Sequence, residues 1–447
     1  MTRPLDRLTE ALLEAAKRAG ADAADAMAVE GTASGIDIRA GQLEQAERSE
    51  GVELGLRVFV GQRQACVSVS DTSDATIRAV AERAVAMARE APEDPYAGLA
   101  ESHQLIRNWD IAALDLVDPA PEPSAATLEQ NARQAEAAAM AMDGIVQVEA
   151  SASASRRQVH IAASNGFSGG YARSSQSLSA VAFTGSGTAM ERDWAGEGRI
   201  YAADLPDPAY FGRLAAERAL ARAGARKPKT GAFPVLYDER ISSSLIGHLL
   251  GAVNGASIAR GSSWLRDALG QQVLPAGLSV IEDPLRPRIS GSRPFDAEGL
   301  PTARRAIVKD GILTGWTLDL ATARKLGMQS TGSASRGPSA PPSPGTSNID
   351  LTQGQKSRDD LIAEMGTGLL VTGLIGSSIN ATTGDYSRGA SGFWVENGQI
   401  TYAVNECTIA GNLRDMLMRM TPANDARMHM STRIPSLLVE GLTLAGA

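Results

Sequence analysis

Phe393-Trp-Val-Glu-Asn397-Gly398-Gln-Ile400 decides the reading of the C-terminal half. An Asn-Gly pair accepts positive φ at both central positions of a two-residue turn, and that turn twists in the sense adjoining strands require. Ile307-Val-Lys-Asp310-Gly311-Ile-Leu313 repeats the signal with Asp-Gly. Two such hairpins predict a mostly antiparallel β unit with a few helices, from about Thr230 to the end. Between them, Gly332 to Ser347 is dense in Ser, Pro and Gly and reads as a mobile surface loop.

Working outward, the N-terminal half reads differently. Leu5, Leu8, Leu12 and Ala16 recur at helical spacing and Gly20 ends the run. Val52, Leu54, Leu56, Val58 and Val60 alternate as a strand, and Gly61-Gln62 turns the chain into a partner carrying Ala65, Val67 and Val69. Asp74 reads as the N-cap of a helix striped by Ile77, Val80, Ala81, Ala84, Val85 and Ala88. Asp118-Pro-Ala-Pro-Glu-Pro123 reads as a linker. A second helix follows from about Ser124 to Met142, then strands over Val146–Ser155 and Ser174–Phe183 that are rich in Ser and Ala. Such strands bury little apolar area and need a second layer to hold them. Asp207-Pro208 opens a further helix through about Ala223. The expected fold class is α+β. It comprises an N-terminal helix–antiparallel-sheet unit (1–117), a linker (118–123), a second α+β unit (124–229) and a β-rich C-terminal domain (230–447).

Composition narrows the function. The chain has 447 residues, 43% hydrophobic and 21% charged, which predicts a globular protein of two or three domains. A net charge of −8 opposes non-specific nucleic-acid binding, which needs a cationic field to displace counterions. The longest basic stretch, Arg222 to Lys229, is short and falls in a linker. Two cysteines, Cys66 and Cys407, match no metal or redox spacing and fit a reducing compartment. With no apolar signal core and no run near the roughly eighteen apolar residues of a membrane span, the expected location is the cytoplasm.

Four stretches carry a resemblance. They are Leu245-Ile-Gly-His-Leu-Leu-Gly-Ala-Val-Asn254-Gly255; Ile281-Glu-Asp-Pro284 with Pro294-Phe-Asp-Ala-Glu-Gly-Leu-Pro-Thr302; Ala323-Arg-Lys-Leu-Gly-Met328; and Asn380 to Glu396, NATTGDYSRGASGFWVE. Thr408-Ile-Ala-Gly-Asn-Leu413 and the segment from Pro435 to Gly446 continue it. These residues resemble the TldD/TldE (PmbA) family, whose TldE branch was formerly described as modulating DNA gyrase. The resemblance implies a cytosolic complex of two related subunits that removes leader segments and degrades unfolded peptides. In that picture TldD carries zinc and TldE does not. A homodimer through the same surface is the other assembly the shared ancestry allows.

The zinc site is testable residue by residue. In TldD a His-Glu pair is followed, after three residues, by a second His on one helix, with a Cys near the C-terminus. Aligned on Gly247-His248, Ser243 replaces the first His and Ser244 the Glu; His248 alone remains. A hydroxyl replaces neither an imidazole ligand nor a carboxylate base. Asn424 to Arg433, where the Cys loop would lie, holds no Cys. The expectation is therefore no metal in this chain, zinc in a TldD-like partner, and extended peptides as the shared substrate.

His248 falls on the stripe of Ile241, Leu245, Leu249 and Ala252. It reads as a core or groove-lining His hydrogen-bonded to a neighbour, with a relic ligand as the alternative and a His248–His429 metal pair as an outside one. Candidate substrate or partner contacts are His248, Asn254, Asp385, Tyr386 and Arg388, with a salt-bridged turn through Asp385, Arg388 and Glu396 as the plainer reading. Asp296 and Glu298 read as turn residues rather than a glycosidase pair. Ser242-Ser243-Ser244 lacks a nucleophile elbow. Gly-rich pieces at Gly185 and Gly366 lack a phosphate-loop Lys. Two alternatives to a non-catalytic subunit stand: a self-sufficient hydrolase near His248 and Asp385, and a stand-alone peptide-binding module gripping extended peptide at a sheet edge.

Overall fold

The computed structural model describes residues 3–446. Its N-terminal part contains α1 (Leu5–Ala19), β1 (Ala23–Arg39), β2 (Gln42–Val60), β3 (Arg63–Val69), α2 (Asp74–Glu90), α3 (Ala125–Met140), β4 (Ile145–Ala163), β5 (Ser168–Thr184), β6 (Glu191–Arg199) and α4 (Pro208–Ala221). The strands form one antiparallel sheet in the order β3-β2-β1-β4-β5-β6, so β1 joins the segments on either side of residues 118–123.

The expected helices form for the expected reasons. Leu5, Leu8, Leu12 and Ala16 are buried, and Gly20 takes the left-handed cap at φ 95°. The cap of α2 is Ser73, not Asp74: its Oγ accepts from the Thr76 N–H at 3.3 Å, and Asp74 opens the first turn. There its carboxylate still favours the positive helix end. Asp207 caps α4 with Pro208 at its first position.

One face of the sheet carries Ala24, Ala26, Ala28, Ile36 and Ile38 of β1 under the helices; Met27 and Val29 point the other way. The serine- and alanine-rich strands find their second layer here. Ala150, Ala152, Ala154, Ala180 and Ala182 pack against Ala132, Ala135 and Ala139 of α3 and Ala215, Ala216 and Ala219 of α4. The two helices approach so closely that a Cβ on Gly212 would stand 1.9 Å from the Ala135 carbonyl oxygen.

The C-terminal domain comprises β7 (Gly231–Tyr237), α5 (Glu239–Ala252), α6 (Gly255–Ala259), β8 (Val280–Glu282), β9 (Arg305–Lys309), β10 (Ile312–Leu313), α7 (Leu320–Leu326), β11 (Ala334–Ser335), β12 (Ser343–Pro344) and β13 (Ile349–Leu351). It continues with α8 (Arg358–Met365), β14 (Gly368–Ile379), β15 (Asp385–Glu396), β16 (Gln399–Asn412), α9 (Leu413–Met418), β17 (Met420–Pro422), β18 (Thr432–Arg433) and β19 (Leu437–Ala445). Its main sheet runs β16-β15-β14-β7-β19-β17, and a further β16–β19 pairing closes five strands into a ring. Both predicted hairpins form, with φ near 50° at Asp310 and Asn397.

Gly332 to Ser347 departs from expectation. It is an ordered strap, with β11 paired to β12 and Ser333 and Ala334 buried. Arg336 forms an ion pair with Asp25 of β1, and Pro338 covers Gly55 of β2, where a Cβ would meet its carbonyl oxygen at 2.1 Å. Composition reports turn-forming residues; it does not report that a guanidinium among them has a buried partner some three hundred positions away.

Candidate functional site

Helix α5 leads directly out of β7. Asp238 caps it, accepting from the Arg240 N–H at 3.2 Å, and the Arg240 and Arg358 guanidiniums hold this buried carboxyl below its ordinary range despite the opposing pull of burial. Leu245, Ile246 and Leu249 are fully buried and fix the helix face. Gly247 and Gly251, one turn apart, have no atom within 4 Å of where a Cβ would stand. They leave a cleft of about 210 Å³ beside His248, also lined by Ser257, Trp264, Ile379 and Ala381.

His248 is a half-buried groove residue, but without the expected hydrogen bond at Nε2: that atom is buried and has no partner among the described residues. Its ring meets Tyr386 edge-on at 5.8 Å. Burial first, and Arg388 second, push its pKa below the ordinary imidazole value, so it is held neutral. Buried Tyr386 in turn receives a 3.4 Å hydrogen bond from the hydroxyl of buried Tyr237, whose own pKa burial drives well up. Arg388 Nε donates to the Gly376 carbonyl at 2.7 Å.

The structure therefore gathers His248, Tyr386 and Arg388, and commits the side chains of the other two candidates to hydrogen bonds within the fold. Asn254 caps α6 through Oδ1 and donates Nδ2 to the Pro344 carbonyl at 2.9 Å, so both ends of its amide hold the fold. Asp385 accepts from Thr383 Oγ1 at 2.6 Å and Asn412 Nδ2 at 3.1 Å, and these bonds hold its carboxyl below the usual range. No salt bridge joins Asp385 to Arg388 among the described residues, because each is committed to the turn nearest to it; Glu396 pairs instead with Lys229 at 3.1 Å.

The residues present do not fit zinc. Ser244 Oγ donates to the Ile241 carbonyl at 2.7 Å, a bond within its own helix turn. A guanidinium close enough to depress the His248 pKa repels a dication as well. His429 Nε2 is bonded to Glu197 of β6 at 2.9 Å. Cys407 is buried in β16, donates to the Ala390 carbonyl at 3.2 Å, and burial pushes its thiol up to about 11. Among the described residues, no three His, Cys, Asp or Glu side chains gather where one ion would touch them all.

The remaining sequence candidates fall into structural roles. Asp296 accepts from the N–H groups of Glu298 and Leu300, both at 2.9 Å, and of Ala334 at 3.1 Å, which is turn chemistry. Glu298 accepts from the Leu320 N–H at 2.9 Å; burial and then Asp296 push it up to about 8. Ser242 Oγ donates to the Ile434 carbonyl at 3.4 Å. Sequence reasoning missed Tyr237 and Trp264 as parts of the site. The i, i+4 glycine pair at Gly247 and Gly251 was the available signal for a groove beside His248.

Comparison with known proteins agrees with this geometry. The PmbA/TldA metallopeptidase C-terminal domain matches residues 230–446, the central domain residues 118–223, and domain 1 residues 24–88. The metalloprotease PmbA of Escherichia coli O157:H7 is 38% identical over 427 residues, covering 95% of this chain and 92% of that protein. A metalloprotease TldD homolog of Haemophilus influenzae is 28% identical over 218 residues, 48% of this chain and 45% of that one. A crystal structure from Bacteroides thetaiotaomicron, described as a modulator of DNA gyrase, superposes with a TM-score of 0.89 at 27% identity, covering 99% of this chain and 98% of its own. TldE from Thermococcus kodakarensis shares the fold, with a TM-score of 0.84 at 19% identity over 98% and 100% of the two chains. The scaffold is that of a TldD/TldE-type peptidase. The chain belongs to the PmbA/TldE family. Among the described residues, no helix is long and apolar enough to cross a membrane.

Proposed function

We propose that this chain is the non-catalytic subunit of a cytoplasmic TldD/TldE-type zinc peptidase, paired with a TldD-like subunit that supplies the metal. The observation that carries the reading is the α5 surface, where Ser243 and Ser244 stand with a single neutral His248 and an arginine nearby. A catalytic zinc takes three protein ligands and an open position for water, and a base must stand beside it. Here one imidazole remains, so no water is activated by this chain.

Its role is then to complete the assembly and to hold extended peptides, leader segments or unfolded chains, for the partner. The cleft beside His248, lined by Trp264, Ile379 and Ala381, has room for a side chain or two of an extended peptide and no carboxylate or thiol among its lining residues. Strand addition suits this domain less: closing β7, β14, β15, β16 and β19 into a ring leaves few free edges in the main sheet.

The test is reconstitution. Purified alone, the chain is expected to leave an unstructured peptide intact; mixed with a TldD-like partner it is expected to give chelator-sensitive cleavage exceeding that of the partner by itself. Cleavage by the isolated chain, abolished by chelator, contradicts the proposal.

A further inference from the structure

A second pocket lies far along the chain from α5, on the sheet face opposite the N-terminal helices. It has a volume of about 310 Å³ and is walled by β1, β4 and β5 on one side and by C-terminal-domain loops, the strap among them, on the other. Four arginines line it, Arg157, Arg173, Arg293 and Arg336, and no carboxylate does. Arg157 and Arg173 are direct cross-strand partners in the β4–β5 register. Like charges placed opposite each other destabilise a sheet, so the pair is maintained against its own repulsion.

The nearest carboxylates are already taken. Asp25 is shared by Arg57 and Arg336. Glu282 pairs with Arg305 at 2.8 Å and accepts from the Ser347 N–H at 2.7 Å. Two arginines are fixed as scaffolding: Arg173 donates to the Ser290 and Ser292 carbonyls, and Arg293 to those of Ala334 at 3.0 Å and Gly345 at 2.9 Å. What remains unspent belongs to residues that line this one pocket. Nε and Nη2 of Arg336, whose side chain is 1% exposed, have no partner, nor have Nε of Arg293 and Oγ of Ser347, all buried. Buried donors without acceptors are costly and rare. A preorganised cluster of them, fork-shaped and cationic, matches a planar oxyanion.

We propose that this pocket captures the C-terminal carboxylate of a peptide. The carboxylate meets Arg336, Arg157 and the Ser347 hydroxyl, while Met27, Val159 and Tyr171 give the last side chain an apolar wall. The volume admits a terminal residue or two, not a folded partner. The choice of a peptide as the carrier of the oxyanion rests on the function proposed above; the oxyanion chemistry does not.

The experiment uses the isolated full chain and reads binding alone, so its outcome is separable from that of the reconstituted cleavage. An N-terminally fluorescein-labelled hexapeptide with a free C-terminus is titrated by anisotropy, beside its C-terminal amide and an amidated peptide ending in Asp, with inorganic phosphate as competitor. The free acid is expected to bind at least tenfold more tightly than either amide. Arg157→Glu, at an exposed position with no ion pair among the described residues, is expected to remove that preference; Ser347→Ala weakens it several-fold, and Arg83→Glu on α2 leaves it intact. Equal affinity for acid and amide overturns the proposal, as does indifference to both Arg157→Glu and Ser347→Ala. Tighter binding of the Asp-ended amide, or phosphate binding that the free-acid peptide does not displace, overturns the terminal-carboxylate assignment.

Discussion

Two regions of this molecule, the layer of α3 and α4 on their sheet and the core of the C-terminal domain, solve the same packing problem with opposite materials. Where α3 and α4 cover β4 and β5, the N-terminal sheet is sealed by alanine against alanine, with the two helices brought within touching distance at Gly212. The C-terminal domain is filled by large side chains, Trp394, Tyr237, Leu245, Ile246 and Leu249 among them, all under 2% exposed. Small side chains gain little each from burial but let many backbones approach; large ones gain more each and leave larger holes when lost. The alanine layer should tolerate truncation and resist enlargement, and the C-terminal core the reverse.

The strongest break of that comparison is Trp394→Ala. It empties a site packed by Phe233 at a 5.0 Å ring separation and by Tyr402, and should cost about 3–5 kcal/mol in urea unfolding. Asp25→Ala should cost a comparable ~3–5 kcal/mol, because it strands the buried Arg57 and Arg336 together. Its particular signature is release of the strap, seen as faster proteolysis within residues 332–347. Ala215→Leu, an enlargement in the alanine layer, should cost about 1–3 kcal/mol through overpacking between α4 and its neighbours. Little or no cost there would break the comparison.

A further effect concerns pH. Glu298 sits at about 8 in the folded chain against an ordinary 4.5, so the folded state keeps a proton that the unfolded state releases. Its contribution is complete below about pH 4.5, declines as pH rises toward 8, and is flat beyond. Glu298→Gln should flatten that decline in a series of unfolding midpoints; an unchanged slope refutes the assignment to Glu298.

Much of the fold was legible because its signals are local. The Asp310-Gly311 and Asn397-Gly398 turns, the α1 stripe and Asp207-Pro208 each state their geometry within a few residues. The strap was not legible, since Arg336 is set by Asp25 on another element and charge pairing has no sequence period. The joining of the first two units into one sheet was hidden for the same reason: β1 and β4 pair across more than a hundred residues. His248 and Tyr386 lie in the stretches that carry the family resemblance, and the structure sets their rings edge to face. Asn254 and Asp385 looked equally prominent and proved to be a cap and a turn anchor, because a polar side chain in a well-marked stretch serves the backbone as readily as a ligand. Tyr237 was hidden inside a buried strand, where nothing in the sequence distinguishes a phenol that bonds Tyr386 from one that only fills the core.

The proposed role requires that α5 present too few donors to hold a dication. Titration of zinc into the isolated, chelator-treated chain, followed by metal analysis after gel filtration, addresses it directly. Well under one zinc is expected to remain per chain, with no change when His248 becomes Ala. One tightly held zinc per chain, lost on His248→Ala, would contradict the proposed role.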